Sequence, residues 1–263
     1  MTPLLDVRGL TVRTADGRTL VDDLSLSIAP GERLGVIGES GSGKSLTTLA
    51  VLGLLPEGMT ATGSVELGGT QIVGASEKRL TGVRGRDAAI VFQEPLTALD
   101  PLMRVGRQIA GPLRRTRGLT GRALDRAVTE ALERVRLPEP GRIARAFPHE
   151  ISGGQRQRVA LACEPKLLIA DEPTTALDVS VQAEMLALID TLVRMREMAV
   201  LFVSHDLAVV AKVTDRALVM KDGRAVEEGT VDEIVRAPRE EYTKSLVASA
   251  RRLESALDPR SAP

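Results

Sequence analysis

The sequence predicts an α/β protein with a mostly parallel β-sheet at its core, and two observations support this fold class. Four short apolar runs each end in a polar or glycine-rich element, at residues 34–37, 88–92, 167–170 and 200–203. Such runs are typical of strands that are buried on both faces. Helical spacing of apolar residues follows at 45–55 and 183–197, which indicates β-α-β crossovers. We therefore expect the carboxyl ends of several strands to meet at one ligand site.

Residues 1–33 and 61–73 interrupt this alternation and predict a small N-terminal antiparallel sheet. Both segments alternate apolar and polar residues, with turns at Asp16-Gly17 and Gly68-Gly69. A further hairpin is predicted around Asp222-Gly223, because this dipeptide favours the tight turns that join antiparallel strands. The sheets are therefore expected to be of two kinds, one antiparallel and one mostly parallel.

Residues 96–163 lack any strand pattern, whereas 123–136 have the spacing of an amphipathic helix. The sequence thus predicts a helical subdomain, at about 96–163, inserted between two strands of the core. We expect one domain over residues 1–250 and a flexible tail at 251–263, which is rich in Arg, Ser, Ala and Pro.

Composition narrows the classes of function. Lys plus Arg (35) balances Asp plus Glu (35), so we expect no nucleic-acid partner. Cys163 is the single cysteine, which allows no internal disulfide and suits a reducing cytosol. No apolar run approaches the roughly 18 residues that span a bilayer, and Asp6 and Arg8 argue against a signal peptide. Any membrane association is therefore expected to come through a partner.

The sequence GESGSGKS at 38–45 fits the phosphate-binding pattern G-x-x-x-x-G-K-[ST]. Its glycines let backbone N–H groups close around phosphate oxygens, and the following helix adds its positive N-terminal end. Lys44 would reach the β- and γ-phosphates, and the Ser45 hydroxyl would ligate Mg²⁺. A glycine-rich turn without a ligand is the alternative, which the strand before and the helix after disfavour. The residues assigned to the nucleotide here are Gly38, Glu39, Ser40, Gly41, Ser42, Gly43, Lys44, Ser45 and Thr47.

Asp171 and Glu172 end the third apolar run, where a carboxylate can face a bound nucleotide. Asp171 would hold Mg²⁺, and Glu172 would act as the general base on the attacking water. Most Asp-Glu pairs are solvated surface charge. The flanking sequences LLIA and PTTALD favour the functional interpretation.

The segment Ser152, Gly153, Gly154 and Gln155 opens a predicted helix. Ser152 is a good N-cap, and two glycines leave backbone amides open to an anion. A plain helix cap explains Ser152, but it does not explain two glycines followed by Gln155-Arg156-Gln157-Arg158.

Together, GESGSGKS, ISGGQRQR and DEPTTALD resemble the nucleotide-binding subunit of an ATP-binding-cassette (ABC) transporter, and the resemblance covers residues 4–248. It implies a P-loop NTPase core with an antiparallel β subdomain and an inserted helical subdomain. In that family the Ser152–Gln155 signature binds the γ-phosphate of ATP held by the opposing subunit. A head-to-tail dimer with two nucleotides is therefore implied.

The resemblance also assigns roles to three single residues. Gln93 matches the family's Q-loop and would contact Mg²⁺ or the attacking water and sense the transporter partner. Asp178 matches the D-loop aspartate. His205, in VSHD, matches the switch histidine that contacts the γ-phosphate, whereas a lone histidine would usually be structural.

Finer features are similar to the oligopeptide, dipeptide and nickel importer branch, notably GESGSGKSLTTLAVLGLLP, IVFQEPLTALDP and APREEYTKSL. This implies an ATP-hydrolysing subunit that pairs with itself or a paralogue beneath two membrane permeases, with a solute-binding protein feeding the complex. It would be peripheral on the cytoplasmic side of the inner membrane. Two alternatives stay open: an ABC ATPase of translation or DNA repair, and a subunit that binds ATP while an active partner hydrolyses it.

The chain departs from the family pattern at three places. The first signature residue is Ile151 rather than leucine, a near-isosteric change that we expect to be tolerated. An aromatic residue near position 12 or 13 usually stacks on adenine. Here Arg13 would stack by its guanidinium plane, or adenine would be held loosely. Ser152 and Asp171 are 19 residues apart, about four fewer than in relatives, which shortens the helix by roughly 6 Å. We expect the fold to survive and ATP hydrolysis to be impaired.

We predict that inserting four family-like residues after Val159 raises the ATPase rate, because the longer helix restores the reach of the signature loop. The steady-state rate of phosphate release by purified wild-type and extended chains measures the effect. An unchanged rate, with robust activity already present in the wild type, would contradict the prediction.

Overall fold

The computed structural model describes residues 2–91, 99–162, 165–173, 182–183, 186–187, 189–191, 193 and 198–257, with the side chains of 116, 157, 160 and 253–257 excepted. The chain forms two compact units. The first contains Met1–Ala75 and Val200–Pro263, and the second contains Ser76–Ala199. Most of the helix predicted at 183–197 lies outside the described residues.

The strands are β1 (Leu5–Arg13), β2 (Thr19–Ile28), β3 (Arg33–Ile37), β4 (Thr60–Leu67), β5 (Thr70–Gln71), β6 (Ala88–Val91), β7 (Leu167–Asp171), β8 (Ala199–Ser204), β9 (Arg216–Lys221) and β10 (Arg224–Thr230). The described helices are α1 (Lys44–Val51), α2 (Glu77–Val83), α3 (Val105–Arg117), α4 (Gly121–Arg134), α5 (Pro140–Arg145), α6 (Gly153–Leu161), α7 (Leu207–Val213), α8 (Val231–Arg236) and α9 (Glu241–Leu257). All four apolar runs form strands, as predicted.

The first unit contains the predicted antiparallel sheet, in the strand order β2-β1-β4-β5. Side chains of β1 alternate in burial, with Leu5, Val7, Leu10 and Val12 inside. The backbone of β4 passes close to β1, since a Cβ on Gly63 would lie 2.3 Å from the carbonyl oxygen of Gly9. This sheet covers one side of the unit's core.

The same unit contains four strands in the order β10-β9-β3-β8, of which β9, β3 and β8 are parallel. The predicted hairpin joins β9 to β10, with positive φ at Asp222 (49°) and Gly223 (81°). Helix α1 ends at Val51, four residues before the predicted end. Gly53 is left-handed (φ 62°) and the Leu54 N–H donates to the Leu49 carbonyl at 2.8 Å, so a helix-terminating turn precedes Pro56.

The second unit combines the parallel pair β6 and β7 with helices α2 to α6. Helices α3, α4 and α5 pack around fully buried apolar side chains, among them Ile109, Leu132 and Ile143. Helix α4 is the amphipathic helix that the sequence predicts at 123–136. Among the described residues, no helix is both long enough and apolar enough to cross a bilayer.

Helix α9 runs from Glu241 to Leu257 and so passes residue 251, where the sequence predicts the start of a flexible tail. We therefore propose that the ordered part of the first unit extends at least to Leu257. Residues 258–263 lie outside the described part of the chain.

We predict opposite effects of adding one methyl group at two glycines. A Cβ on Gly35, in β3, would lie 2.2 Å from Val210 Cγ1 of α7, so Gly35→Ala should lower the unfolding free energy by about 1–3 kcal/mol. Gly82, in α2, has nothing within 4 Å of its Cβ position, so Gly82→Ala should be neutral or stabilising by up to ~1 kcal/mol. Urea unfolding of both variants measures the difference. Equal midpoints would contradict the tight packing of α7 on β3.

Candidate functional site

The phosphate-binding pattern lies in the first unit between β3 and α1. Strand β3 ends at Ile37, and α1 begins at Lys44 with Gly43 in the cap position at φ 96°. Glycine supplies no side-chain acceptor, and Gly43 accordingly makes no side-chain cap hydrogen bond to α1. The loop therefore leads into the positive N-terminal end of α1, as in phosphate-binding loops.

Close packing explains why glycine occupies both ends of this loop. A Cβ on Gly38 would lie 2.3 Å from the Met220 carbonyl oxygen, and one on Gly43 would lie 3.0 Å from the Leu20 carbonyl oxygen. Gly41 differs, because nothing lies within 4 Å of its Cβ position although its φ is +83°. The loop is thus pressed against β2 and β9 at its ends and open at its middle, where a phosphate can approach.

Lys44 is the buried cation of the loop, with 4% of its surface exposed. Its Nζ donates to the carbonyl oxygens of Gly38 at 2.7 Å and Glu39 at 2.8 Å, so the ammonium group bridges the start of the loop. Ser45 is exposed in the first turn of α1. Thr47 is buried and its hydroxyl donates to the Gly43 carbonyl at 3.0 Å, which stabilises the first helical turn.

His205 follows β8 in the same unit. Strands β3 and β8 are parallel and in register, with Ile37 opposite Ser204, so Gly38 and His205 leave the same edge of the sheet. His205 is exposed there. Arg13, at the end of β1, is also exposed and its Nε donates to Thr19 Oγ1 at 3.3 Å.

The sequence reasoning missed Asp206, which fixes the turn that carries His205. Its Oδ1 accepts the N–H groups of Ala208 at 2.8 Å and Val209 at 3.3 Å, and so caps α7. Its own N–H donates to Ser204 Oγ at 3.0 Å. An aspartate between an apolar strand and an apolar helix is the signal of an N-cap that could have predicted this role.

In the second unit, Asp171 is the last residue of β7 and is 6% exposed. Glu172 follows it with a left-handed backbone at φ 46°. A non-glycine residue in this region is strained, and such strain is concentrated at functional sites. Strands β6 and β7 are parallel with Val91 opposite Ala170.

Gln93, predicted to contact Mg²⁺ or the attacking water, and Asp178, predicted to be the D-loop aspartate, both lie outside the described residues. No group of three or more His, Cys, Asp or Glu side chains able to hold a metal ion occurs within the described part of the chain.

The Ser152–Gln155 segment forms a reciprocal cap at the start of α6. Ser152 Oγ accepts from the Gln155 N–H at 3.3 Å, and Gln155 Oε1 accepts from the Ser152 N–H at 2.9 Å. Both side chains therefore stabilise the helix end, and Gly153 and Gly154 supply the first helical amides. The ordinary N-cap and the anion-binding interpretation are compatible at this position.

Helix α6 is nine residues long and ends at Leu161. Strand β7 nevertheless begins at Leu167 and is buried along its whole length. Its start is fixed by the buried Asp87, whose carbonyl accepts the Leu167 N–H at 2.9 Å and whose Oδ1 lies 2.9 Å from Lys166 Nζ. The strand thus keeps its place in the fold after a short helix.

A sequence profile of the family described as ABC transporter matches residues 21–175, more than half of the chain. The chain belongs to this family. The oligopeptide transport ATP-binding protein OppD of Bacillus subtilis is 44% identical over 264 residues, which cover 97% of this chain and 74% of OppD. A peptide import ATP-binding protein of Brucella ovis is 44% identical over 270 residues, which cover 97% of this chain and 80% of the relative.

Solved structures agree with this membership. The dimeric, post-hydrolysis ATP-binding cassette MJ0796, bound to ADP and phosphate, superposes with a TM-score of 0.73 at 28% identity over 86% of this chain and 98% of that chain. CbiO1 of Clostridium perfringens, part of an ABC transporter complex, gives a TM-score of 0.75 at 26% identity over 99% of this chain and 97% of that chain. The chain has the ABC ATPase fold, and it is an ABC-type ATPase with ATP as its substrate.

We predict that Asp206→Ala lowers the unfolding free energy by about 1 kcal/mol, because α7 loses its N-cap. Asp206→Ser should keep most of the wild-type stability, since a serine hydroxyl can accept the same N–H groups. Urea unfolding of the two variants measures the difference. An alanine variant as stable as the serine variant would show that the cap contributes nothing.

Proposed function

We propose that the chain is the ATP-binding and ATP-hydrolysing subunit of an ABC importer that transports peptides. The observation that carries this proposal is the loop at 38–45, in which Lys44 is buried against loop carbonyls and glycine occupies the N-cap of α1. The names of the relatives, which cover 97% of the chain, support peptides as the transported class. Nickel is the other solute of the branch that the sequence resembles.

The residues of the first unit would hold the phosphates. The amides of Gly41, Gly43 and Lys44 would donate to the phosphate oxygens, and the Lys44 ammonium would exchange a loop carbonyl for the β- and γ-phosphates. His205 would donate to the γ-phosphate from the end of β8. Arg13 would cover the adenine by its guanidinium plane, since its side chain is exposed at the end of β1.

The donor set suits Mg²⁺ as the cofactor. Ser45 offers a hydroxyl, Asp171 a carboxylate and Gln93 an amide, all hard oxygen ligands that Mg²⁺ accepts together with substrate phosphates. When bound, Mg²⁺ would neutralise charge on the phosphate oxygens. Glu172, directly after Asp171, would take a proton from the attacking water as general base.

A second ATPase subunit, identical or paralogous, would complete the dimer. The Ser152, Gly153, Gly154 and Gln155 segment would then bind the γ-phosphate held by that partner, with Asp178 at the same interface. Two permeases would supply the path through the membrane, and a solute-binding protein would deliver the solute. The subunit would lie on the cytoplasmic side of the inner membrane, and its balanced charge gives no reason to expect nucleic acid as a partner.

The nine residues of α6 motivate a second candidate, a subunit that binds ATP and leaves hydrolysis to an active partner. The two candidates agree on nucleotide binding and differ in turnover. They are therefore separated by measuring binding and hydrolysis in the same set of variants.

We predict that Lys44→Met abolishes ATP binding, because the loop loses its only phosphate-facing ammonium. Glu172→Gln should still bind ATP, but its hydrolysis rate should fall by about 100-fold or more. Calorimetric titration with ATP measures binding, and phosphate release measures hydrolysis. Matched controls are Lys78→Met in α2 and Glu130→Gln in α4, both exposed in the second unit and expected to behave as the wild type.

Binding by Lys44→Met at wild-type affinity would contradict the proposed site. If the wild type binds ATP but releases no phosphate, both when it is alone and when it is reconstituted with permeases, the binding-only subunit is favoured. Stimulated phosphate release in vesicles that take up peptides would support the importer.

A further inference from the structure

Helix α9 begins beside the phosphate-binding loop, and its second residue contacts that loop. The backbone N–H of Glu39 donates to the phenolic oxygen of Tyr242 at 3.0 Å. Glu39 is the second residue of the GESGSGKS loop, whereas Tyr242 lies about 200 residues later. Both residues belong to the first unit. The contact therefore ties the C-terminal helix to the start of the loop.

The peptide group that joins Gly38 to Glu39 is engaged on both sides. Its N–H, that of Glu39, donates to Tyr242, and its carbonyl, that of Gly38, accepts from Lys44 Nζ at 2.7 Å. The next carbonyl, that of Glu39, accepts from Lys44 Nζ at 2.8 Å and from the Ser42 N–H at 3.2 Å. The phenol is thus one peptide group away from the ammonium that the proposed function places on the phosphates. Rotation of the Gly38–Glu39 peptide would move the Gly38 carbonyl and with it a partner of Lys44.

Tyr242 is itself held in place from two directions. Lys221 Nζ lies 5.1 Å from the centroid of its ring, in cation–π geometry. The Glu227 carboxylate accepts the N–H groups of Arg239 at 2.8 Å and Glu240 at 3.1 Å, which fixes the chain just before α9. Burial raises the pKa of Glu227, but the hydrogen bonds donated to it outweigh this and lower the pKa below its ordinary value. The carboxylate is therefore charged at neutral pH and caps the approach to α9.

The protonation state of the phenol suits this contact. Burial raises the pKa of Tyr242 above its ordinary value. The hydrogen bond from the Glu39 N–H offsets part of this rise, and the nearby charges of Glu39 and Asp222 add to it. The hydroxyl is therefore neutral at physiological pH, and its oxygen accepts the Glu39 N–H without adding a negative charge next to the phosphate site.

We propose that Tyr242 is a positioning residue for nucleotide binding, because its hydroxyl fixes the Gly38–Glu39 peptide and thereby the start of the phosphate-binding loop. This inference rests on the proposed function, in which the loop binds ATP. A loop that is held before the ligand arrives loses less conformational freedom on binding, which increases affinity. Coupling of this kind is reciprocal, so bound nucleotide also changes the surroundings of Tyr242.

The test compares the full-length wild type with Tyr242→Phe, which removes the hydroxyl and keeps the ring over Lys221. Calorimetric titration with ADP should show a dissociation constant raised about three- to tenfold, the effect of one hydrogen bond. The KM for ATP should rise by a similar factor while kcat changes less than about twofold. The thermal unfolding midpoint is measured as a control for folding and should be unchanged. A variant that loses folded protein in general would instead show a lower kcat.

Ser245→Ala is the matched control, since it removes a hydroxyl from the same turn of α9. The Ser245 hydroxyl donates to the Tyr242 carbonyl at 2.7 Å, within the helix. The control should bind ADP as the wild type does.

A second readout uses the composition of the chain. The chain has one tyrosine and no tryptophan, so ultraviolet fluorescence reports on Tyr242 alone. We expect ADP to change the tyrosine emission of the wild type. If the wild type and Tyr242→Phe bind ADP equally well and the emission does not change, the positioning role is wrong. The proposed function still stands in that case. If the wild type binds no ADP, the positioning role and the proposed function are both overturned.

Discussion

The phosphate-binding loop depends on close backbone packing at its two ends, and the rest of the first unit is arranged around this constraint. Gly38 lies against the carbonyl of Met220 in β9, and Gly43 lies against that of Leu20 in β2. The hairpin residue Gly223 completes the enclosure, because its N–H donates to the Ser42 carbonyl at 3.2 Å. A parallel strand, an antiparallel strand and a hairpin thus press on one loop. Its middle, at Gly41, is left open for the ligand.

Neutral partners hold two polar groups of the loop. The Lys44 ammonium donates to the carbonyl oxygens of Gly38 and Glu39, and the Glu39 N–H donates to a phenol. In the neighbouring turn, the Asp206 carboxylate caps α7 beside His205. Carbonyl partners can be exchanged for phosphate oxygens, and donors that are already in place before the ligand arrives suit a phosphate site.

The sequence predicted those parts of the structure that follow from local pattern. Continuous apolar runs identified four of the five parallel strands that the structure describes, and the glycine pattern identified the loop before α1, because burial on both faces and phosphate binding each have a short sequence signature. Tyr242 and Asp206 were not predicted. Tyr242 acts through a contact across about 200 residues, which no local pattern encodes, and Asp206 was overlooked as a cap beside a more conspicuous histidine. The early end of α1 reflects Gly53, whose left-handed turn takes precedence over the apolar spacing.

The contacts of Gly223 with Ser42 and of Met220 with Gly38 also affect how the protein is made. Synthesis proceeds from the N-terminus, so the glycine loop leaves the ribosome about 180 residues before the hairpin that encloses it. At typical synthesis rates this interval is roughly 10–40 s. Throughout it, the nascent chain carries a complete phosphate-binding motif without the contacts from β9 and the hairpin. The enclosure of the loop is therefore complete only after the C-terminal part of the first unit has been synthesised and has folded onto it.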